Sequence, residues 1–574
     1  MTEQIISPGV FTNENDKSII QRGPQVAGAA VVGPTAKGRP LVPTVVTSYS
    51  EYQSIFGETF KSGSQYYEYF TSLAAKEYFS GGGDSLLVTK VVSGSVYNTY
   101  ADANLPKSGS SSHTLGNSSF TLESLSFGDD MNNSGSMGSG GTLNDGNSTN
   151  IRWEVSGVNY TEGTFSLVIR RGDDTTSNPN ILETYNNLTL DPNDANYVSR
   201  VIGDSRPVYV AESGDEGAYV TYEGSYPNAS NYVRIKNVKQ TIVDSYDNEG
   251  DFKSAANKQY LPDIGSGSFG GAFSGGVAST SREQLMFENI TPTNNQGYTV
   301  GEYRLGLSLL SNKEEYDFNV LLCPGLFMDS TLISVCESRG DAFAIVDPTI
   351  YGATKTAVIT AAAGSSSSYA GVYWPWVQIY SSNLGKSVWV PASTVMGGVF
   401  AFNDNVGGIW AAPAGLTRGG IGSIIRAEKK VSSSSRDKLY NANVNVLASF
   451  PGEGVVSYGQ KTLQKRKTSL NRINVRRLLN DMKRFVTIVG RGIVFEPNTT
   501  VTRNKFLNKI NPKLDSLVQN QGLYAYKVVM DDSNNTAEVI DRNQLLGHIY
   551  VQPTRTAEFI VLDFTLQPTG TEFL

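Results

Sequence analysis

The sequence predicts an α+β, multidomain chain. A discontinuous α/β core is interrupted by a mostly β insertion and followed by a C-terminal domain of helices and a small sheet. Three observations carry this. Helix and strand patterns with glycine stops fill 26–100 and return at 301–450. Between them, 101–300 holds recurring strand pieces in a Ser/Gly/Asn-rich background, with 24 Asp/Glu against 12 Lys/Arg. The last quarter reverses that charge: Lys461 to Lys513 carries 14 Lys/Arg against Asp481 and Glu496, in a chain of net charge −7. At 574 residues the chain is too long for one core.

Taken in order, 1–25 reads as an arm, a short strand-capable piece interrupted by Ser7-Pro8-Gly9 and followed by polar NENDKS. VAGAAVVGP is a buried-strand pattern and SYSEYQSIFGE a polar loop with a short amphipathic turn. Tyr66, Tyr69, Phe70, Leu73, Ala74 and Tyr78 have helical spacing, so a helix capped by Ser64 is expected, stopped by Gly81-Gly82-Gly83. DSLLVTKVV then reads as a strand. In 101–300 the strand pieces are IRWEVSGVNY, TFSLVIRRG, RPVYVAES and NYVRIKNV, and the acidic surface predicts an outward-facing insertion.

From 301 onward, EEYDFNVLLCPG, DAFAIVDP and VYWPWVQIY read as strands. DSTLISVCESRG, TKTAVITAAAG and PASTVMGGVFAFND read as helices, with Pro391 in the first turn of the last. The C-terminal domain is expected at 451–555. Val475, Leu478, Leu479, Met482, Phe485, Val486 and Val489 form a helical stripe with Arg472, Arg476, Lys483, Arg484 and Arg491 largely off it. A second helix runs through Phe506 and Ile510, and Pro512 is expected to start a third, ended by Gly522. LYAYKVVM and HIYVQP follow as strands. The C-terminal arm, 556–574, closes on EFIVLDFTLQ, where Ile560, Leu562, Phe564 and Leu566 share one apolar face.

The residues offer little for chemistry. Cys323 and Cys336 do not make a disulfide framework and read as buried, reduced thiols. With only His113 and His548 beside them, no metal site is expected. His113 lies in a serine-rich tract and His548 among strand-forming residues, so neither reads as a catalytic base. Gly265 to Gly270 matches a dinucleotide fingerprint without the preceding strand, and Gly385-Lys386-Ser387 lacks the upstream glycine of a phosphate loop, where Tyr380 stands. No enzyme and no cofactor is therefore expected. No basic-then-apolar leader and no long apolar window appear, so a soluble chain without a membrane partner is expected. The basic lobe has three readings: a solvated helix face, a nucleic-acid site, or a dock for an acidic protein surface. Interleaved aromatics are few there, only Phe485, Phe495 and Phe506, which disfavours nucleic acid.

Several phrases, in order, resemble one family. They are SPGVF at 7–11, VVGPTAKGRP, SYSEYQSIFG, LDPNDANYV at 190–198, YWPWVQIYSSNLGKSVWVPASTVMGGVFAFNDNVGGIWAAPAG at 373–415, SYGQKTL, INVRRLL and TRTAEFIVLDF. Together they resemble the tail sheath proteins of contractile-tailed bacteriophages (myoviruses), a family shared with related contractile injection systems. The resemblance implies a structural subunit that polymerises as stacked hexameric rings around an inner tail tube and contracts to drive that tube through a cell envelope. It implies a virion-tail location after assembly in the host cytoplasm, with tube, baseplate and tail terminator proteins as partners and no nucleic acid. It also implies that the C-terminal sheet is completed by strands from neighbouring subunits, with Val10, Phe11, Ile560, Leu562, Phe564 and Leu566 on those arms. Arg472, Arg476, Arg477, Lys483 and Arg484 are the expected tube-facing basic surface. The alternatives are the sheath of a headless extracellular injection system and a self-assembling surface-layer protein.

Overall fold

The computed structural model describes residues 25–558, apart from 63–64, 93–99, 109, 111–114, 135, 139, 214–216, 242–258, 267–272 and 277–286. Val10, Phe11, Ile560, Leu562, Phe564, Leu566 and His113 lie outside the described residues.

Runs of small and β-branched apolar residues build one eight-stranded sheet. Its strands are β1 (Ala29–Gly33), β2 (Thr44–Val46), β3 (Leu86–Lys90), β4 (Val320–Phe327), β5 (Phe343–Asp347), β6 (Ala370–Trp374), β7 (Val444–Phe450) and β8 (Gly454–Tyr458). Their spatial order is β8-β7-β6-β5-β4-β1-β3-β2, parallel except for β2 and β8 at the two edges. Parallel strands are covered on both faces, which is why these segments read as continuous apolar runs. Alternation divides them. Ala30, Val32, Leu321, Ala344, Val346 and Val372 face one core, and Ala29, Val31, Leu322, Phe343, Ile345 and Tyr373 face the other. Helices α1 (Tyr49–Phe56), α2 (Phe70–Ser80) and α6 (Ala392–Gly407) pack on the second face, and α3 (Val300–Leu309), α4 (Ser330–Arg339), α5 (Lys355–Ala363) and α7 (Ser433–Asn441) on the first. The two halves of the core are stitched where the Phe70 amide donates to Gln296 Oε1 at 3.0 Å.

The α2–α6 contact is close because glycines meet there: a Cβ on Gly398 would stand 2.4 Å from the carbonyl oxygen of Glu77. At the β8 edge, 415–421 covers the open backbone. Gly415 donates to Ser457 O at 2.8 Å and Ser457 to Gly419 O at 2.7 Å. The expected core boundary at residue 450 thus falls between two paired strands, and the sheet extends to Tyr458.

Three further local readings differ. Residues 65–68 form a strand paired with 59–62, and α2 starts only at Phe70. Phe60 stacks on Tyr67 and Tyr69, with ring centroids 6.0 and 4.4 Å apart, and this cross-strand aromatic contact outweighs the helical spacing. VYWPWVQIY is divided between two sheets: β6 ends at Trp374, and 377–381 joins 386–390 and 424–427 in a small antiparallel sheet. Gly385-Lys386-Ser387 belongs to that hairpin, with Ser381 opposite Lys386. Pro391 is the residue capping α6 rather than its first residue.

Between β3 and α3, strands 100–106, 118–127 and 233–238 form one sheet and 151–159, 164–171, 181–188 and 265–266 another. Trp153, Phe120, Phe165 and Phe273 fill their shared core. Inside it Arg152 and Arg170 both pair with buried Asp174, at 3.0 and 2.7 Å. A hairpin of 206–210 and 219–223 braces this unit on the sheet domain, packing Ala218 against Leu41, Val92 and Leu309.

The C-terminal part is helix α8 (Ile473–Arg491), helix α9 (Thr500–Gln519) and a hairpin of β9 (Leu523–Val529) and β10 (His548–Pro553) around Ile510, Leu514, Leu517 and Leu523. Pro512 lies inside α9 instead of starting a new helix. Its ring is on the solvent side, as is Asn508, whose carbonyl loses its partner to the proline, while Phe506, Ile510, Leu514 and Leu517 keep one continuous buried stripe. Cys323 and Cys336 are buried and unbonded, and burial pushes both thiols up.

Two predictions follow from the core. Gly398→Val forces α2 and α6 apart and lowers stability by about 1–3 kcal/mol, read by thermal unfolding, whereas Gly422→Val, with open space at its Cβ, leaves it unchanged. Asp347 is fully buried at the start of α6, accepting from Ser393 Oγ at 2.6 Å, the Ser393 amide at 2.9 Å and the Gly325 amide at 3.0 Å. Burial nevertheless pushes its carboxyl up to about 6. Between pH ~4 and ~6 the folded chain holds a proton that the unfolded chain has lost, so this group's contribution falls as pH rises through that window. The stability advantage of wild type over Asp347→Asn therefore shrinks from pH 4.5 to 7. A difference independent of pH would contradict it.

Candidate functional site

Helix α8 has two working faces. Val475, Leu478, Met482 and Val489 follow the three- and four-residue spacing of an amphipathic helix, and the last three pack with α9 and the hairpin. A second stripe, Ile473, Arg476, Arg477, Asn480 and Arg484, faces the sheet domain. Arg477 is buried and donates from Nη1 and Nη2 to Asp404 Oδ1 and Oδ2 at 2.6 and 2.5 Å, with its guanidinium 4.8 Å from the Phe400 ring centroid. Arg476 is buried 4.1 Å from the Tyr369 ring, and burial lowers its pKa. Asn480 Nδ2 donates to Ala342 O at 3.0 Å, and Arg484 pairs with Asp317 at 2.8 Å.

This corrects the expected basic surface: Arg476 and Arg477 face the chain's own core. A charge count cannot separate solvated arginines from those that bind a helix to a neighbour; only the second stripe does. Lys483 is exposed, with Nζ 3.2 Å from Tyr369 Oη. Arg472 is half-buried and pairs with Glu558, the last described residue, at 2.6 and 2.8 Å. Gln460 Nε2 adds a 3.0 Å bond and Tyr440 another, so Glu558 is held at a fixed point beside the start of α8. Lys461, above the Tyr440 ring at 3.7 Å, is lowered to about 8 by burial and by Arg472, with Glu558 opposing.

The β9–β10 hairpin is a sheet of two strands, and among the described residues no third strand pairs with either edge. Tyr526 faces α9, donating to Asp515 Oδ1 at 2.7 Å, while Tyr524 and Tyr550 are exposed. His548 stands exposed in β10. The turn between α8 and α9 carries an apolar tip that the sequence reading missed. Phe495 is fully exposed at φ 71°, and Val494 and Val501 are 60% and 66% exposed. The available signal was three apolar residues in a row directly after Gly492. Among the described residues, no group of three or more His, Cys, Asp or Glu could hold a metal ion, and no helix is long and apolar enough to cross a membrane.

These features can be set beside known proteins. Residues 296–463 match the phage tail sheath protein central domain, and 466–567 match the phage tail sheath C-terminal domain. The tail sheath protein of Vibrio phage KVP40 is 34% identical over 36% of this chain and 31% of its own length. That of Enterobacteria phage T4 is 30% identical over 49% of this chain and 47% of its own. The matches thus span about a third to a half of the curated relatives. The crystal structure of the sheath tail protein from Listeria innocua matches over 92% of this chain and 96% of that one, with a TM-score of 0.51 and 10% identity, a likeness of fold.

The Arg477–Asp404 pair predicts a measurable contrast. Arg477→Ala leaves a carboxylate facing a vacated, largely buried site and costs about 3 kcal/mol in urea unfolding, while exposed Lys483→Ala changes stability by less than about 0.5 kcal/mol. Equal effects would place both side chains in solvent. Through residues 296–463 and 466–567, the chain is similar to the central and C-terminal domains of phage tail sheath proteins.

Proposed function

We propose that the chain is the structural subunit of a contractile tail sheath. It polymerises as stacked hexameric rings around an inner tail tube and contracts to drive that tube through a target envelope, in a virion tail assembled in the host cytoplasm. The observation that carries this reading is the pair of sheath-domain matches in chain order, together with a two-stranded hairpin whose edges are unpaired among the described residues. Strand addition to such an edge supplies main-chain pairing plus sites for alternate side chains. The arms at 1–25 and 556–574 are the proposed added strands, from neighbouring copies. Four apolar side chains, Ile560, Leu562, Phe564 and Leu566, at ~1.5–3 kcal/mol each give on the order of 10 kcal/mol before ordering costs.

The role is structural, without catalysis or cofactor, and baseplate and tail terminator proteins are the proposed end partners. The tube-facing surface is assigned to exposed Lys483 and Arg491 with the apolar tip at Val494 and Phe495; half-buried Arg472 and Arg484 flank it. The purified chain should form tubes with sixfold symmetry in negative-stain microscopy. Chains lacking 1–14 or 559–574 should stay folded by circular dichroism yet form no tubes. Tubes of normal length from either truncated chain would sink the strand-exchange reading.

A further inference from the structure

A second basic surface lies beside the N-terminal end of α8. The stretch Lys429–Tyr440 holds four Lys/Arg against one acid, and Lys461–Thr468 holds four against none. The fold brings them together on the α5/α7 side of the sheet. Lys355 of α5 donates to Ser435 Oγ of α7 at 3.0 Å, and Asn443, just after α7, donates to Gln464 O at 3.2 Å. Lys465 Nζ caps α5 through Ala363 O at 2.6 Å. The loop that carries these charges is held rigid. Gln464 Nε2 donates to Arg466 O at 2.8 Å and to Thr468 Oγ1 at 2.6 Å, and the Thr468 amide donates to Arg466 O at 3.0 Å. Lys430, Lys438, Arg466 and Lys467 are exposed, and no ion pair involves them among the described residues.

We infer that this face, presented by α7 and the 464–468 loop, docks the acidic insertion of a second copy of the chain. The partner's chemistry follows from charge complementarity within one sequence: 101–300 carries a net charge of −12, so each copy holds both halves of the contact. A cationic loop ordered by Gln464 before contact loses little backbone freedom on docking. Of the aromatic rings beside α7, Tyr440 is covered by Lys461, and Phe450 and half-exposed Tyr458 lie against Arg436. This contact rests on the proposed polymerisation and adds to it a lateral, salt-sensitive interface that is independent of the arms. Each exposed ion pair contributes about a two- to fivefold change in affinity at low salt, so its weight comes from repetition along the polymer.

The test uses the full chain with Lys438, Arg466 and Lys467 all changed to Glu, beside the milder change of all three to Gln. Folding is checked by thermal unfolding, and assembly by sedimentation from low to high salt. The Glu variant should need roughly tenfold more protein to assemble at low salt and lose most of the wild-type salt dependence, with the Gln variant between. Carbodiimide cross-linking of mixed ¹⁴N and ¹⁵N chains should join Lys438, Lys465 or Lys467 to carboxylates of 101–300 in mixed-isotope pairs. Wild-type salt dependence in the Glu variant, or cross-links only within one copy, would overturn the inference while leaving polymerisation intact. Wild-type chains that never polymerise would instead remove the proposed function. Unchanged self-assembly with loss of binding to a duplex DNA probe would reassign the face to nucleic acid.

Discussion

The guanidinium of Arg477, held between Asp404 and Phe400, is the joint on which the C-terminal part depends. It is 2% exposed, so its charge is tolerable only while both carboxylate oxygens are met. That requirement fixes the azimuth of α8 against the sheet domain. Once the azimuth is set, the opposite stripe of the same helix must carry α9 and the hairpin. One helix thus belongs to two units, and its rotation decides where the open hairpin edges and the exposed apolar turn point.

The eight-stranded sheet and the β9–β10 hairpin are treated oppositely. In the eight-stranded sheet both faces are covered, and the β8 edge is closed by the 415–421 loop. The β9–β10 hairpin has the minimum number of strands, and its edges are unpaired among the described residues. An isolated two-stranded hairpin is marginal in water, so this one relies on α9 beneath it and gains from any strand added beside it. The contrast separates a sheet closed within the chain from one whose edges are unpaired among the described residues.

Glu558 adds a geometric condition. Its contacts with Arg472, Gln460 and Tyr440 place the root of the C-terminal segment at the N-terminal end of α8, against the sheet domain rather than beside its own hairpin.

The sequence by itself determined the strand content of the core, because strands buried on both faces must be apolar at every position, and it determined the interruption by an acidic β-rich segment. It also located the apolar stripe of α8 through Val475, Leu478 and Met482. The tertiary structure decided what composition cannot encode. Arg476, Arg477 and Lys483 count alike as cations in the sequence, yet the packing of Tyr369, Phe400 and Asp404 buries only the two arginines. Tyr66 and Tyr69 fit a helix by spacing, and only Phe60 across the hairpin makes 65–68 a strand. Pro512 stays inside α9 because its lost hydrogen bond falls on the wet side, while the buried stripe beneath it continues.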